Sequence, residues 1–201
     1  MPRTFLNLSQ HLLVAIDCET TGLTEESEII QVSAIPLDSS LNPTANHLDL
    51  VIRPSTLDGL PPKVQRAASQ AHKLGMDPEE AVNVFIRWYN NLHMVEWGRI
   101  VPLGHNYLRF DEGFIRRWLG DFTYDFYFHS MVRDTLVIGG WLNDFDDYHA
   151  RTPMFPDLKL PTMARVLGID FDSQSLHNSL YDANLTAQVY KAIMKLGDTK
   201  L

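Results

Sequence analysis

The stretch from Leu12 to Leu23, LLVAIDCETTGL, constrains this chain more than any other. It opens on the unbroken apolar run Leu12-Leu13-Val14-Ala15-Ile16, which is short and carries β-branched residues, as a buried strand does. Asp17 and Glu19 follow, two residues apart at the strand's end. Strand side chains alternate, so both carboxylates face one side and Cys18 the other. Two carboxylates crowded on one face repel each other unless a cation lies between them. Thr20-Thr21-Gly22 then turns the chain and offers backbone N–H groups and hydroxyls beside that cation. Taken alone, such a strand end reads as a solvated acidic turn; the rest of the sequence argues against that.

Two further strands are expected downstream. Residues 28–37, EIIQVSAIPL, carry Ile29, Ile30, Val32 and Ile35, and residues 47–53, HLDLVIR, alternate Leu48, Leu50 and Ile52. With turn-rich connectors between them, three strands form an antiparallel meander. Pro54, Pro61 and Pro62 open a helical region. Pro78 with Glu79 and Glu80 starts a helix whose apolar stripe is Ala81, Val82, Phe85, Trp88, Tyr89 and Leu92. Residues 99–104, RIVPLG, read as a fourth strand, with Pro102 marking a strand end or bulge. Phe114, Ile115, Trp118 and Leu119 recur at helical spacing, and 132–138 reads as a short fifth strand running into a helix. Residues 139–161, with aromatics, prolines and Asp144, Asp146 and Asp147, read as an irregular surface excursion with a solvated acidic face. A short helix over 158–167 and a longer one over 178–196 close the chain. Strands and then alternating strands and helices give an α/β layer with a mixed sheet.

A chain of 201 residues fits one domain with one core, so 1–201 is expected to be a single domain. No apolar run approaches the roughly 20 residues that span a bilayer. The N-terminus lacks both a long apolar segment and a small-residue cleavage site, so no signal peptide is expected. The single cysteine excludes an intrachain disulfide and fits a reducing, cytoplasmic setting. A formal net charge of −8 argues against a grip on long nucleic acid through phosphate contacts alone. It leaves nucleases open, because clustered carboxylates that hold divalent cations make a site acidic until the ions reverse its sign.

Three more pieces join Asp17 and Glu19. Gly104-His105-Asn106 follows an apolar strand and leads to Phe110-Asp111 at a helix start. Near the C-terminus, His177 stands five positions before Asp182. On one helix that spacing would put them about 140° apart. They cooperate better with His177 in the preceding loop and Asp182 about one turn inside the helix.

On these motifs the chain resembles the DEDDh branch of the DnaQ-like 3′–5′ exonucleases, the superfamily of RNase T and oligoribonuclease. The motifs stand as Asp17-Cys18-Glu19-Thr20-Thr21-Gly22-Leu23, Gly104-His105-Asn106 to Phe110-Asp111, and His177 to Asp182-Ala183, with Asp134-Thr135 as a further recurrent element. The resemblance runs over about 12–196. It implies a ribonuclease H-like α/β fold, with a mixed five-stranded sheet of three antiparallel strands and then parallel additions, flanked by helices. It also implies that Asp17, Glu19, Asp111 and Asp182 hold two Mg²⁺ or Mn²⁺ ions, which carboxylate oxygens suit. His177 would be the general base, an imidazole able to take a proton near neutral pH. Thr20, Thr21, Gly22 and Leu23 would cradle the terminal nucleotide, with core packing the alternative for Leu23; Phe110 would line the site, and His105 and Asn106 would line it or simply tie down the loop. One departure is the His105–Asp111 spacing, a residue longer than usual and similar to the extended loop of exonuclease I.

The activity implied is metal-dependent removal of nucleotides from the 3′ ends of nucleic acid, single-stranded by preference, with release of nucleoside 5′-monophosphates. Phe110, Tyr107, Trp141 and Phe145 are aromatic candidates for stacking on bases, against ordinary packing for each. A proofreading subunit bound to a DNA polymerase is the alternative within the enzyme class, weakened because only GDTKL follows the last expected helix. A non-catalytic protein-binding module with the same fold is the alternative outside it, weakened because all five chemical residues are retained. The expected partners are nucleic acid 3′ ends and no membrane, with a homodimer and a polymerase left open.

Overall fold

A computed structural model describes residues 11–92 and 98–200 of the chain. The absence of a leader expected for the N-terminus therefore concerns residues outside the described ones, apart from His11. Among the described residues the strands are β1 (Leu12–Thr20), β2 (Ile29–Pro36), β3 (Leu48–Val51), β4 (Ile100–Gly104) and β5 (Arg133–Asp134). The helices are α1 (Pro62–Leu74), α2 (Pro78–Asn90), α3 (Asp111–Leu119), α4 (Asp121–Tyr127), α5 (Thr135–Tyr148), α6 (Leu160–Val166) and α7 (Ser179–Lys200).

The strands form one sheet in the order β3-β2-β1-β4-β5. β1 pairs antiparallel with β2 and β2 with β3, whereas β1–β4 and β4–β5 are parallel. The apolar run of β1 is thus central and covered on both faces. Val14, Ile16 and Cys18 face a core built with Phe85 of α2, Phe114 and Ile115 of α3 and Tyr124 of α4. Leu13 and Ala15 face the other way, where Ala183, Ala187 and Tyr190 of α7 cover them. The two alanines let α7 lie close to the sheet. No described helix is long and apolar enough to cross a membrane.

Three local expectations need correction. Pro102 lies inside β4, opposite Val14, and marks neither an end nor a bulge. Leu12 N–H donates to Arg99 O, so odd-numbered residues of β4 face β1 and Pro102 turns its missing donor toward β5. β5 pairs only with Leu103 and Gly104, so no ladder bond is lost there. The fifth strand shrinks to two residues because Asp134 caps α5, accepting from Leu136 N–H at 3.0 Å. Residues 139–148 of the supposed irregular excursion belong to that helix. Gly139 of this helix is buried where a Cβ would fall 2.6 Å from Met163 Cε of α6. Within the acidic cluster Asp144 and Asp147 are exposed, but Asp146 is buried and faces Arg151 at 4.0 Å.

Candidate active site

The site forms where β1 outruns β4. Even-numbered amides of β1 face β4, but the ladder between the two ends at Ala15 and Leu103. The Cys18 amide would then be an orphan donor in the interior. Asp111, the first residue of α3, fills the gap: its Oδ1 accepts from Cys18 N–H at 2.9 Å. Cys18, which faces away from Asp17 and Glu19, thereby positions a third carboxylate at the strand's end.

Asp111 itself depends on the lengthened loop before α3. Asn106 adopts a φ of 68°, and its N–H donates to Asp134 Oδ1 at 2.9 Å. Tyr107 is fully buried, its hydroxyl 3.1 Å from that of Tyr124. Tyr107 is therefore a core residue, and it is withdrawn from the candidates for base stacking. The residues after it close into the helix, with Phe110 N–H on Asn106 O and Glu112 N–H on Tyr107 O.

The fourth carboxylate arrives on α7. Asn178, just before the helix, accepts from Tyr181 N–H at 3.1 Å. Asp182, one turn in, reaches back so that its Oδ2 accepts from His177 N–H at 2.9 Å. His177 thus sits in the loop and Asp182 in the helix, as the spacing implied. The His177 backbone is held with a φ of 67° while its side chain is exposed. A ring nitrogen of His177 and one carboxylate oxygen each of Glu19 and Asp182 lie within 4.8 Å of one another.

These carboxylates perturb one another. Burial pushes the Asp17 carboxyl well above the usual carboxylate range, and the charges of Asp111, Asp182 and Glu19 push it further. Burial lifts Asp111 to about 7, against the pull of hydrogen bonds from the Cys18 thiol and amide. Glu19 is raised by burial and by Asp182, with His177 opposing. Asp182 is raised by burial and held back by the His177 amide and ring. Asp182 Oδ1 is buried and has no hydrogen-bond partner among the described residues. An unpaired oxygen in a cluster of raised carboxyls fits a hard divalent cation as its missing partner.

The remaining predicted residues divide. Thr20 and Thr21 are buried, and their hydroxyls hold the turn, Thr20 Oγ1 donating to Gly22 O and Thr21 Oγ1 accepting from Glu28 N–H. Gly22 is needed for close approach, since a Cβ would fall 2.7 Å from Ser27 Oγ. Leu23 is 85% exposed, which rules out core packing, and with Thr21 and Gly22 it lines a cleft of about 380 Å³. His105 Nδ1 donates to Thr135 Oγ1 at 2.9 Å, whose own hydrogen goes to Gly104 O. Burial holds the His105 imidazole below its usual range, with Asp134 opposing, so this ring ties β4 to α5. Phe110 is half-buried against Phe114. Cys18 and Asp134 had no assigned role in the sequence reading. The amides that define their roles are invisible until the strands are paired.

With this geometry in view, the RNase T exonuclease family model matches residues 14–190. The chain belongs to this exonuclease family. The oligoribonuclease of Streptomyces griseus is 34% identical over 116 residues, 52% of this chain and 55% of that protein. The chain thus spans little more than half the length of that relative. Exonuclease I of Methylocaldum szegediense superposes with a TM-score of 0.69 at 20% identity, over 94% of this chain and 41% of that one. A zinc-bound complex of E. coli exonuclease I with single-stranded DNA superposes with a TM-score of 0.66 at 20% identity, over 94% of this chain and 42% of that one. The fold of the chain is the ribonuclease H-like sheet expected from its motifs, with three antiparallel strands and then parallel additions. Divalent-metal dependence goes with the family.

Proposed function

We propose that the chain is a DEDDh-type 3′–5′ exonuclease that trims single-stranded nucleic acid from its 3′ end and releases nucleoside 5′-monophosphates. The observation that carries this reading is the convergence of Asp17, Glu19, Asp111 and Asp182 with His177 at the end of β1, where Asp182 Oδ1 lacks a partner among the described residues. The four carboxylates are the residues that would hold two Mg²⁺ or Mn²⁺ ions. Such a pair supplies an activated water and charge stabilisation at the leaving 3′-oxygen of an in-line displacement.

This chain's own residues do the rest. The exposed His177 ring accepts the proton of the attacking water, and the hydrogen bond from the His177 N–H to Asp182 Oδ2 fixes where the ring starts. Asp111, anchored on the Cys18 amide, and the half-buried Asp17, beside three other carboxylates, are placed in advance of the reaction. Leu23 and the Thr21–Gly22 backbone border the cleft that takes the terminal nucleotide. Similarity to oligoribonucleases and the single-stranded DNA in the exonuclease I complex support a single-stranded substrate, with short RNA the first to try.

The test supplies end-labelled short RNA and single-stranded DNA, linear and circular, with Mg²⁺, with Mn²⁺ or with EDTA. Stepwise release of 5′-monophosphates from linear strands, abolished by EDTA, is the expected result. Equal cutting of circles, or turnover in EDTA, would overturn the reading.

A further inference from the structure

Four polar groups outside the carboxylate cluster form a closed circuit beneath the start of α7. Ser33 of β2 and Ser179 of α7 are both fully buried, and their hydroxyl oxygens lie 2.6 Å apart. Ser33 Oγ donates to Asp49 Oδ1 of β3 at 2.7 Å, so its single hydrogen is spent and Ser179 must donate to Ser33. Gln31 Nε2 donates to the same Asp49 oxygen at 2.9 Å, and Gln31 Oε1 faces Ser179 N–H at 3.4 Å. Because Asp49 can only accept and the Ser179 amide can only donate, the Gln31 amide has one consistent orientation.

The circuit joins three elements. It starts on the exposed face of β3, crosses β2 and ends on the first residue of α7, which lies two positions after His177 and three before Asp182. The first turn of a helix has no internal partners for its amides and is its least constrained part. Here that turn carries Asp182, a proposed metal ligand, and directly follows the loop of His177, the proposed base, so its placement matters for the chemistry. A buried hydroxyl pair also costs stability unless fully bonded, and apolar residues would have packed β2 against α7 without that demand.

We propose that Ser179 is a positioning residue for His177 and Asp182, held in place by Ser33, Gln31 and Asp49. The proposal rests on the exonuclease reading for its effect on rate, but not for the anchoring itself. Ser179 touches no substrate; it acts through the loop and helix turn that it fixes.

Two measurements on the full chain test it. The first is native-state amide hydrogen exchange of metal-free wild type, Ser33→Ala, Asp49→Ala and Asp49→Asn, followed at 177–182 and at β1. Ser33→Ala and Asp49→Ala are expected to speed exchange at 177–182 about 10-fold, roughly the loss of one net hydrogen bond, with β1 unchanged. Asp49→Asn keeps the accepting Oδ1 and is expected to behave as wild type. Unchanged exchange at 177–182, or equal acceleration throughout the protein, overturns the anchoring whether or not the protein is a nuclease.

The second measurement is kcat and KM on the preferred single strand, well below the melting temperature. Ser33→Ala and Asp49→Ala are expected to lower kcat about 10-fold with KM within about twofold, since small displacements of reacting groups are costly. Asp49→Asn is expected to restore kcat, and the Ser33→Ala/Asp49→Ala double variant to be no worse than either single one. Faster exchange with unchanged kcat would make the circuit purely structural and refute the positioning role. If wild type proves inactive, the exonuclease reading falls and the exchange result alone decides the anchoring.

Discussion

His177 concentrates two demands in one residue. Its amide must reach Asp182 Oδ2, which holds a non-glycine residue in the left-handed region, and its ring must stay free over the carboxylates. Tyr181 is the rival base, being next to Asp182, but its hydroxyl accepts from Asp172 N–H at 2.6 Å and its ring packs with Leu185 and Val189. The tyrosine steadies the loop that carries the histidine. Single-turnover assays should therefore show His177→Ala slower by about 100-fold or more, with Mn²⁺ binding retained in calorimetry. His177→Gly separates ring from backbone: glycine accepts the positive φ without strain, so an equal rate loss assigns the effect to the imidazole. Tyr181→Phe should change the rate by less than about 10-fold, through one lost hydrogen bond. A near wild-type rate for His177→Ala, or a collapse for Tyr181→Phe, contradicts the assignment.

At the scale of elements, the long strands and helices were legible because their apolar spacing has one physical reading. β1, β2 and β3, the helices beginning at Pro78 and Asp111 and the last helix all stand where their patterns put them. The short strand running into a helix is found at Arg133–Asp134, too short to show a period, but the helix continues to Tyr148 through the stretch expected to be irregular, with Gly139 lying close to Met163. In the candidate site, the motifs single out Asp17, Glu19, Asp111, Asp182 and His177, and the fold brings these residues together at the end of β1. The hydrogen bonds that hold them were not legible, since Asp134, Cys18 and Ser179 act through backbone amides and partners distant in sequence. Asp134 illustrates the cost. One buried carboxylate accepts from the amides of Asn106, Leu108 and Leu136, joining the loop before α3 to the start of α5. Asp134→Ala strands those donors and removes a helix cap, so denaturant unfolding should show a loss of about 2–4 kcal/mol. Asp134→Asn, which keeps an accepting oxygen, should recover part of it. A loss below about 0.5 kcal/mol for the alanine variant would mean that water replaces the carboxylate and that the loop stands without it.

For the whole molecule, the carboxylates crowded at the end of β1 are a local destabilisation that a bound cation would relieve. Asp17, Asp111, Glu19 and Asp182 all have raised pKa values in the fold, Asp111 to about 7. A carboxyl whose folded value lies above its unfolded one contributes stability below the unfolded value and loses it as pH rises through the folded one. For Asp111 that window runs from the ordinary carboxylate value of 3.8 to about 7. Without divalent ions, the site's contribution should therefore fall between about pH 4 and about pH 7. His105 and His129 work in the opposite direction, because burial lowers both and disfavours their charged forms in the fold. The raw pH dependence of melting thus mixes the two effects, but the difference made by a cation does not. Both histidines are present with and without the ion, whereas the ion requires the carboxylates deprotonated. Thermal melts in EDTA and in saturating Mg²⁺ should differ little at about pH 5 and clearly at about pH 8, with the ion raising the melting temperature. Asp111→Asn removes the carboxyl that burial raises to about 7 and should flatten the contrast. An equal gain from Mg²⁺ at both pH values would mean that the ion binds elsewhere, on carboxylates already ionised at the lower pH, and that the cluster at the end of β1 is not the metal centre.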